Sequence, residues 1–184
     1  DNDVAELLVT SPMVNFFSFI GSAKVGWYLR SNLAPGTRCA LEHGGAAPVI
    51  VEQDADIDGM IAPLVKGGYY HAGQVCVSVQ RVYVHGTILE EVKTKMIAAI
   101  NQIVTGDPLD PKTEAGPLIL PKEVDRVELW VKEAKDAGGE IVCGGNRISN
   151  TCFEPTLIVN PPEDVNVSTM EIFGPVVCLY SYTD

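Results

Sequence analysis

The chain has 184 residues, 46% of them hydrophobic and 20% charged, which argues against disorder and suffices for one domain with a substantial core, or one domain and part of another. Thirteen Lys and Arg against 24 Asp and Glu leave a formal charge of -11, which repels phosphate backbones and anionic membranes and argues against nucleic-acid binding. No apolar run reaches the roughly 20 residues that cross a bilayer, and the opening DNDVAELLV lacks the basic start of a secretory signal, so a soluble, cytoplasmic chain is expected.

In chain order, the apolar run from Val14 to Ile20 predicts a buried strand ending at Gly21, and GSAKVGWYLRS then opens a helix with a small-residue first turn. TRCALE and APVIVE predict two further strands on either side of Gly44-Gly45. Asp54 or Asp56 caps the next helix, whose inward positions are Ile57, Met60, Ile61, Leu64, Val65 and Gly68, with Pro63 a source of kinking unless it lies near the start. Past HAGQVC come the strand VQRVYVH and a helix with Ile88, Val92, Met96, Ala99 and Ile103 on one face, followed by a loop from Gly106 to Pro117. A helix from Lys122 to Ala137 carries Val124, Val127, Val131 and Ala134 at helical spacing and stops at Gly138-Gly139. EIVC, FEPTLIV and PVVCLYSY complete the strands. Helices between successive strands predict an α/β fold, an open and largely parallel sheet with helices on both faces.

The cysteines Cys39, Cys76, Cys143, Cys152 and Cys178 are odd in number, scattered and free of any CxxC pair, which predicts free thiols in a reducing compartment. His43, His71 and His85 form no metal-ligand spacing, so no metal site is expected. Cys76, in Gly73-Gln74-Val75-Cys76, sits at a junction between a helix and a strand, where Gly73 permits backbone geometries a side chain forbids; it is either a small buried hydrophobe or a reactive thiol. Glu42 lies between Leu41 and a charge-free stretch, where an exposed strand end and a desolvated general base both account for it. Gly21 and Ser22 form a strand-to-helix turn that suits a phosphate or serves packing alone. In Glu171-Ile172-Phe173-Gly174-Pro175 a carboxylate stands beside an aromatic ring, and Phe173 is by default a core residue.

In this order FIGSAKVG, LEHGGAAPVIV, GQVCVSVQR, GDPLDPKTEAGPL, FEPTLI and MEIFGPVV resemble the NAD(P)-dependent aldehyde dehydrogenase superfamily along nearly the whole chain. The resemblance implies the catalytic-domain fold of that family, present in part: residues 1–43 as the end of a dinucleotide-binding domain and 44–184 as the nucleophile-bearing domain, C-terminally incomplete. It implies Cys76 as nucleophile and Glu42 as the base that activates water, which argues against the coenzyme A-acylating relatives. Gly21, Ser22 and Val25 match the turn at the pyrophosphate of NAD or NADP, His43 and Gly44 match backbone positions near the nicotinamide, Glu171 matches the carboxylate on the nicotinamide ribose, and Phe173 the ring beside it. The family's usual leucine after the glutamate is His43 here, and its common lysine after Gly-Gly is Ala46. Strand alternation predicts that the side chains of Glu42 and His43 point apart.

The activity implied is oxidation of a small-molecule aldehyde to a carboxylic acid, in a homodimer or homotetramer. Without an initiator Met the chain reads as a partial product, so the alternative is a catalytically incompetent domain that keeps only the fold and a reactive thiol. A cofactor-independent esterase acting through Cys76 and Glu42 is a third expectation, and a Cys-His hydrolase pairing His71 with Cys76 has nothing to place the imidazole against sulfur.

Overall fold

A computed structural model describes residues 2–184. They fall into two compact units, the first ending at Gly45 and the second spanning 46–184.

In the first unit, α1 (Asn2–Val9) precedes a β-α-β segment of β1 (Phe16–Ile20), α2 (Ala23–Ser31) and β2 (Arg38–Glu42). The strands are parallel, with Ile20 opposite Glu42. Side chains alternate across a strand, so Phe17 and Phe19 face a small core of Val9, Leu29 and Val25, while Phe16 is 54% and Ile20 80% exposed. The buried strand expected from the unbroken apolar run is therefore buried on one face only, because within this unit the helices cover that face alone.

The second unit is built on a five-stranded sheet in the order β3 (Pro48–Val51), β4 (Arg81–His85), β7 (Val176–Tyr182), β6 (Thr156–Val159), β5 (Glu140–Cys143). All neighbours are parallel except β5, which runs antiparallel to β6. The strand period of two sorts the core into two layers. Val176, Cys178 and Tyr180 of β7 and Ile158 of β6 face α5 (Pro121–Asp136) through Val124, Val127, Val131 and Ala134. Val177, Leu179, Leu157, Val159, Val82 and Val84 face α3 (Ile57–Tyr69) and α4 (Leu89–Ile100) through Leu64, Val65, Val92, Met96 and Ile100. Helices thus cover both faces, and nearly continuous apolar strands such as VVCLY are what a sheet buried on both sides requires.

Local signals set the helix ends. Asp56 caps α3, its Oδ1 accepting the Gly59 N–H at 3.1 Å, and the helix continues through the exposed Pro63. Pro121 opens α5, and the chain leaves it at Gly138-Gly139, where the Gly139 N–H donates to Ala134 O at 2.8 Å. The short helices α1 and α6 (Asn166–Thr169) and the 3-10 turn Tyr70–Gly73 are additions to the expected elements. Tyr69, at the end of α3, is buried and donates its hydroxyl to Thr156 O at 2.8 Å, tying the helix end to β6 just ahead of that turn. Among the described residues no helix is long and apolar enough to cross a membrane.

Burial pushes the Cys178 thiol from 9.0 up to about 12, and burial likewise raises the Tyr69 phenol well above 10.0. A raised folded-state pKa means that the unfolded chain loses these protons first as pH rises. Their contribution is complete below about pH 9 and declines as the pH approaches that of the folded thiol. Urea unfolding between about pH 9 and 11 is expected to show stability falling, with the thiol accounting for about 1.4 kcal/mol per pH unit. Cys178→Ala should flatten that part of the slope, and an unchanged slope would contradict the assignment.

Candidate active site

In the first unit the residues of interest lie at the carboxyl ends of the two parallel strands, where open α/β sheets place ligands. The Gly21 N–H donates to Glu42 O at 3.3 Å, so the strand-to-helix turn and Glu42 are side by side. Glu42 is exposed at the end of β2. Ser22 is the N-cap of α2 and its hydroxyl makes no capping bond, while Gly21 and Ser22 are both exposed. A helix start with exposed small residues and no side-chain cap suits an anionic pyrophosphate, so these residues fit that part of a dinucleotide. The Val25 side chain packs into the core with Phe17 and Leu29.

Glu42 is exposed, whereas His43 is half-buried against aromatic rings. The His43 ring sits at edge-on angles to Trp27, with centroids 5.5 Å apart, and to Phe19, at 6.3 Å. It covers Gly26 so closely that a Cβ there would meet its Nε2 at 2.1 Å. Gly44 follows in the half-exposed loop after β2.

In the second unit the site lies at the amino ends of β4 and β7. His71, Ala72 and Gly73 adopt positive φ of 51°, 54° and 71° in succession, an arrangement costly for residues with a side chain. Gly73 has a second constraint, since a Cβ there would lie 2.0 Å from Gly174 O. That contact joins the loop carrying Cys76 to the segment Glu171–Pro175. Gln74 anchors the same loop: its Oε1 accepts the Ile119 N–H at 2.9 Å, and its Nε2 donates to Pro117 O at 3.2 Å and His71 O at 3.1 Å. Beyond the cysteine, the Ser78 N–H closes a turn on Val75 O at 2.9 Å and the Ser78 hydroxyl lies 3.2 Å from Gly67 O at the end of α3. Cys76 is exposed at the crown of this turn, so the reading of a small buried hydrophobe does not hold for it, whereas Cys152 and Cys178 are buried. The His71 ring packs against Tyr70 at 5.2 Å.

Gln80, between that loop and β4, is 3% exposed. Its Nε2 donates to Val167 O at 2.9 Å and Met170 O at 2.6 Å, and its Oε1 accepts the Ile172 N–H at 2.9 Å. Ile172 is buried and Glu171 half-buried. Phe173, by default a core residue, is instead 38% exposed with φ 44°, because the tight turn before Gly174 swings its ring outward. The anchoring roles of Gln74, Ser78 and Gln80 escaped the sequence reading. A glutamine between Val79 and the strand RVYVH was the available signal, since a buried amide needs partners. Among the described residues no group of three His, Cys, Asp or Glu could hold a metal.

A model of the "Aldehyde dehydrogenase family" matches residues 1–184. The chain is 38% identical over 182 residues to a 3-sulfolactaldehyde dehydrogenase of Priestia aryabhattai, covering 99% of this chain and 38% of that protein. The crystal structure of aldehyde dehydrogenase 21 from Physcomitrella patens in complex with the reaction product succinate superposes with a TM-score of 0.94 at 37% identity, over 100% of this chain and 38% of the other. A glyceraldehyde-3-phosphate dehydrogenase from Methanocaldococcus jannaschii, complexed with NADP, gives a TM-score of 0.94 at 35% identity, over 98% and 39%. The chain thus spans about two-fifths of the length of the relatives it matches.

Exposure ranks the thiols for labelling. Brief treatment with iodoacetamide followed by peptide mass spectrometry is expected to modify Cys76 before Cys152 and Cys178. Equal labelling of all three would mean that the turn around Cys76 is not held as described.

Proposed function

This chain belongs to the aldehyde dehydrogenase family, and we propose on that premise that the protein carrying it oxidises an aldehyde to a carboxylic acid with NAD or NADP. The observation that carries the proposal is the exposed Cys76 on a turn pinned by Gln74 to residues 117–119 and by Ser78 to the end of α3, and packed through Gly73 against the segment that bears Glu171. In it residues 1–43 end a dinucleotide-binding domain and 44–184 belong to the domain that bears the nucleophile.

The Cys76 thiolate attacks the aldehyde carbon and forms a thiohemiacetal on Sγ, with the Cys76 backbone N–H a donor to the oxygen that carries the developing charge. NAD or NADP, when bound, accepts the hydride that leaves this carbon. A thioester then remains on Sγ. Glu42 takes a proton from water, the resulting hydroxide adds to the thioester carbon, and the carboxylic acid departs as the Cys76 thiolate is restored. Gly21, Ser22 and the start of α2, including the Val25 turn, would hold the pyrophosphate; His43 and Gly44 would lie by the nicotinamide; Glu171 would accept hydrogen bonds from the nicotinamide ribose hydroxyls beside Phe173. The presence of NADP in one superposable structure supports a nicotinamide cofactor. Five free thiols support a reducing, cytoplasmic setting, and a homodimer or homotetramer is the assembly proposed.

The roles of sulfur and carboxylate separate kinetically. In the intact protein, Cys76→Ser is expected to lower turnover by at least about a thousandfold. Glu42→Gln should still release a burst of reduced cofactor of about one equivalent per site and then stall, because only hydrolysis is lost. Steady turnover by Glu42→Gln at the unmodified rate would overturn the role given to Glu42.

A further inference from the structure

The side-chain amide of Gln80 takes hold of both peptide groups that flank Glu171. Met170 O belongs to the peptide before Glu171 and accepts from Nε2 at 2.6 Å; the Ile172 N–H belongs to the peptide after it and donates to Oε1 at 2.9 Å. Fixing both peptide planes fixes the φ and ψ of the residue between them, and so the direction in which its side chain leaves the backbone. The second donor hydrogen of Nε2, bonded to Val167 O at 2.9 Å, anchors the clamp to α6. The clamp is itself anchored, because Gln80 is almost fully buried and its own carbonyl accepts the Cys178 N–H at 2.8 Å, next to the pairing of β4 with β7.

No regular secondary structure holds residues 170–175. A buried carboxamide with both donor hydrogens and an acceptor lone pair engaged, reaching across 92 residues to Ile172, is a specific device for holding such a segment. Packing alone would favour an apolar side chain at position 80, since a buried amide carries a desolvation cost unless its bonds are made.

We propose that Gln80 is a positioning residue for the nicotinamide ribose of the cofactor, acting through Glu171; this rests on the reading of Glu171 as the carboxylate that accepts from the ribose hydroxyls. Gln80 touches neither cofactor nor substrate. It sets where the Glu171 carboxylate presents its oxygens, so its loss weakens the nicotinamide end of the cofactor and leaves the adenine end untouched.

The test is calorimetric titration of the intact protein with NAD and NADP and, as a probe without the nicotinamide riboside, with ADP, or 2′-phospho-ADP where NADP binds tighter. Gln80→Met keeps length and burial but cannot make the bonds. It is expected to raise the Kd of the preferred cofactor about tenfold while leaving that of the adenine probe within about twofold. Glu171→Gln should weaken the cofactor and spare the probe likewise, and the double variant Gln80→Met with Glu171→Gln should be no weaker than Glu171→Gln alone, because both changes act through one carboxylate. If Gln80→Met does not accumulate as folded protein, Gln80→Glu gives the same comparison, since it keeps an acceptor for Ile172 and loses at least one of the two donors. Unchanged cofactor affinity in the Gln80 variant beside a weakened Glu171→Gln would overturn the positioning role alone. Equal weakening of cofactor and adenine probe, or additive losses in the double variant, would also overturn it by showing a general structural effect. Unchanged affinity in Glu171→Gln would instead remove the ribose reading on which the proposal stands.

Discussion

A close approach of two backbones organises the second unit's site. Gly73 packs against the Gly174 carbonyl at a distance that leaves no room for a Cβ, and it does so at positive φ, so glycine is required on two counts. Two residues with side chains, His71 and Ala72, share the left-handed conformation just before it, at a cost of about 1–2 kcal/mol each. Gln74 and Ser78 offset that cost through hydrogen bonds to the backbone, each worth about 1 kcal/mol net. The product is a sharp, supported turn whose crown is a thiol, held against a second turn that carries a carboxylate and an outward-facing aromatic ring.

The same economy of contacts appears around it. Tyr69 ties the end of α3 to β6, Gln74 ties the cysteine turn to the loop before α5, and Gln80 ties the start of β4 to the backbone around Glu171. The first bond joins two elements of the double-layered core, where side chains of β6 and β7 alternate between the α5 side and the α3–α4 side, the second joins two loops, and the third joins a loop to that core. Loops supported in this way keep their geometry without needing a core of their own. In the first unit the support is the parallel pair β1 and β2, which sets Gly21 beside Glu42.

Much of this was legible in the residues. Continuous apolar strands announce burial on both faces, and helical spacing of Val124, Val127, Val131 and Ala134 finds α5 with its glycine stop, because both signals are local and periodic. Local patterns could not reveal that β5 runs antiparallel, since strand direction depends on where the chain returns. They also misjudged β1, whose apolar run is exposed on one face, and Phe173, whose ring is turned out by its own backbone. Candidate site residues stood out through an ordered set of motifs, whereas Gln80 acts on partners 87 to 92 residues away and no local pattern encodes that. Family membership supports the fold of this chain directly and the chemistry of the protein by inference, since the relatives are more than twice as long.

The proposed reaction passes through a covalent acyl group on the Cys76 sulfur, removed by water that Glu42 activates. The most direct measurement is peptide mass spectrometry of the intact Glu42→Gln protein, quenched in acid after mixing with an aldehyde and the cofactor. An acyl mass on the peptide containing Cys76, formed only when the cofactor is present, is the predicted result. Acyl label on another residue, or none on Cys76 while reduced cofactor accumulates, would contradict it.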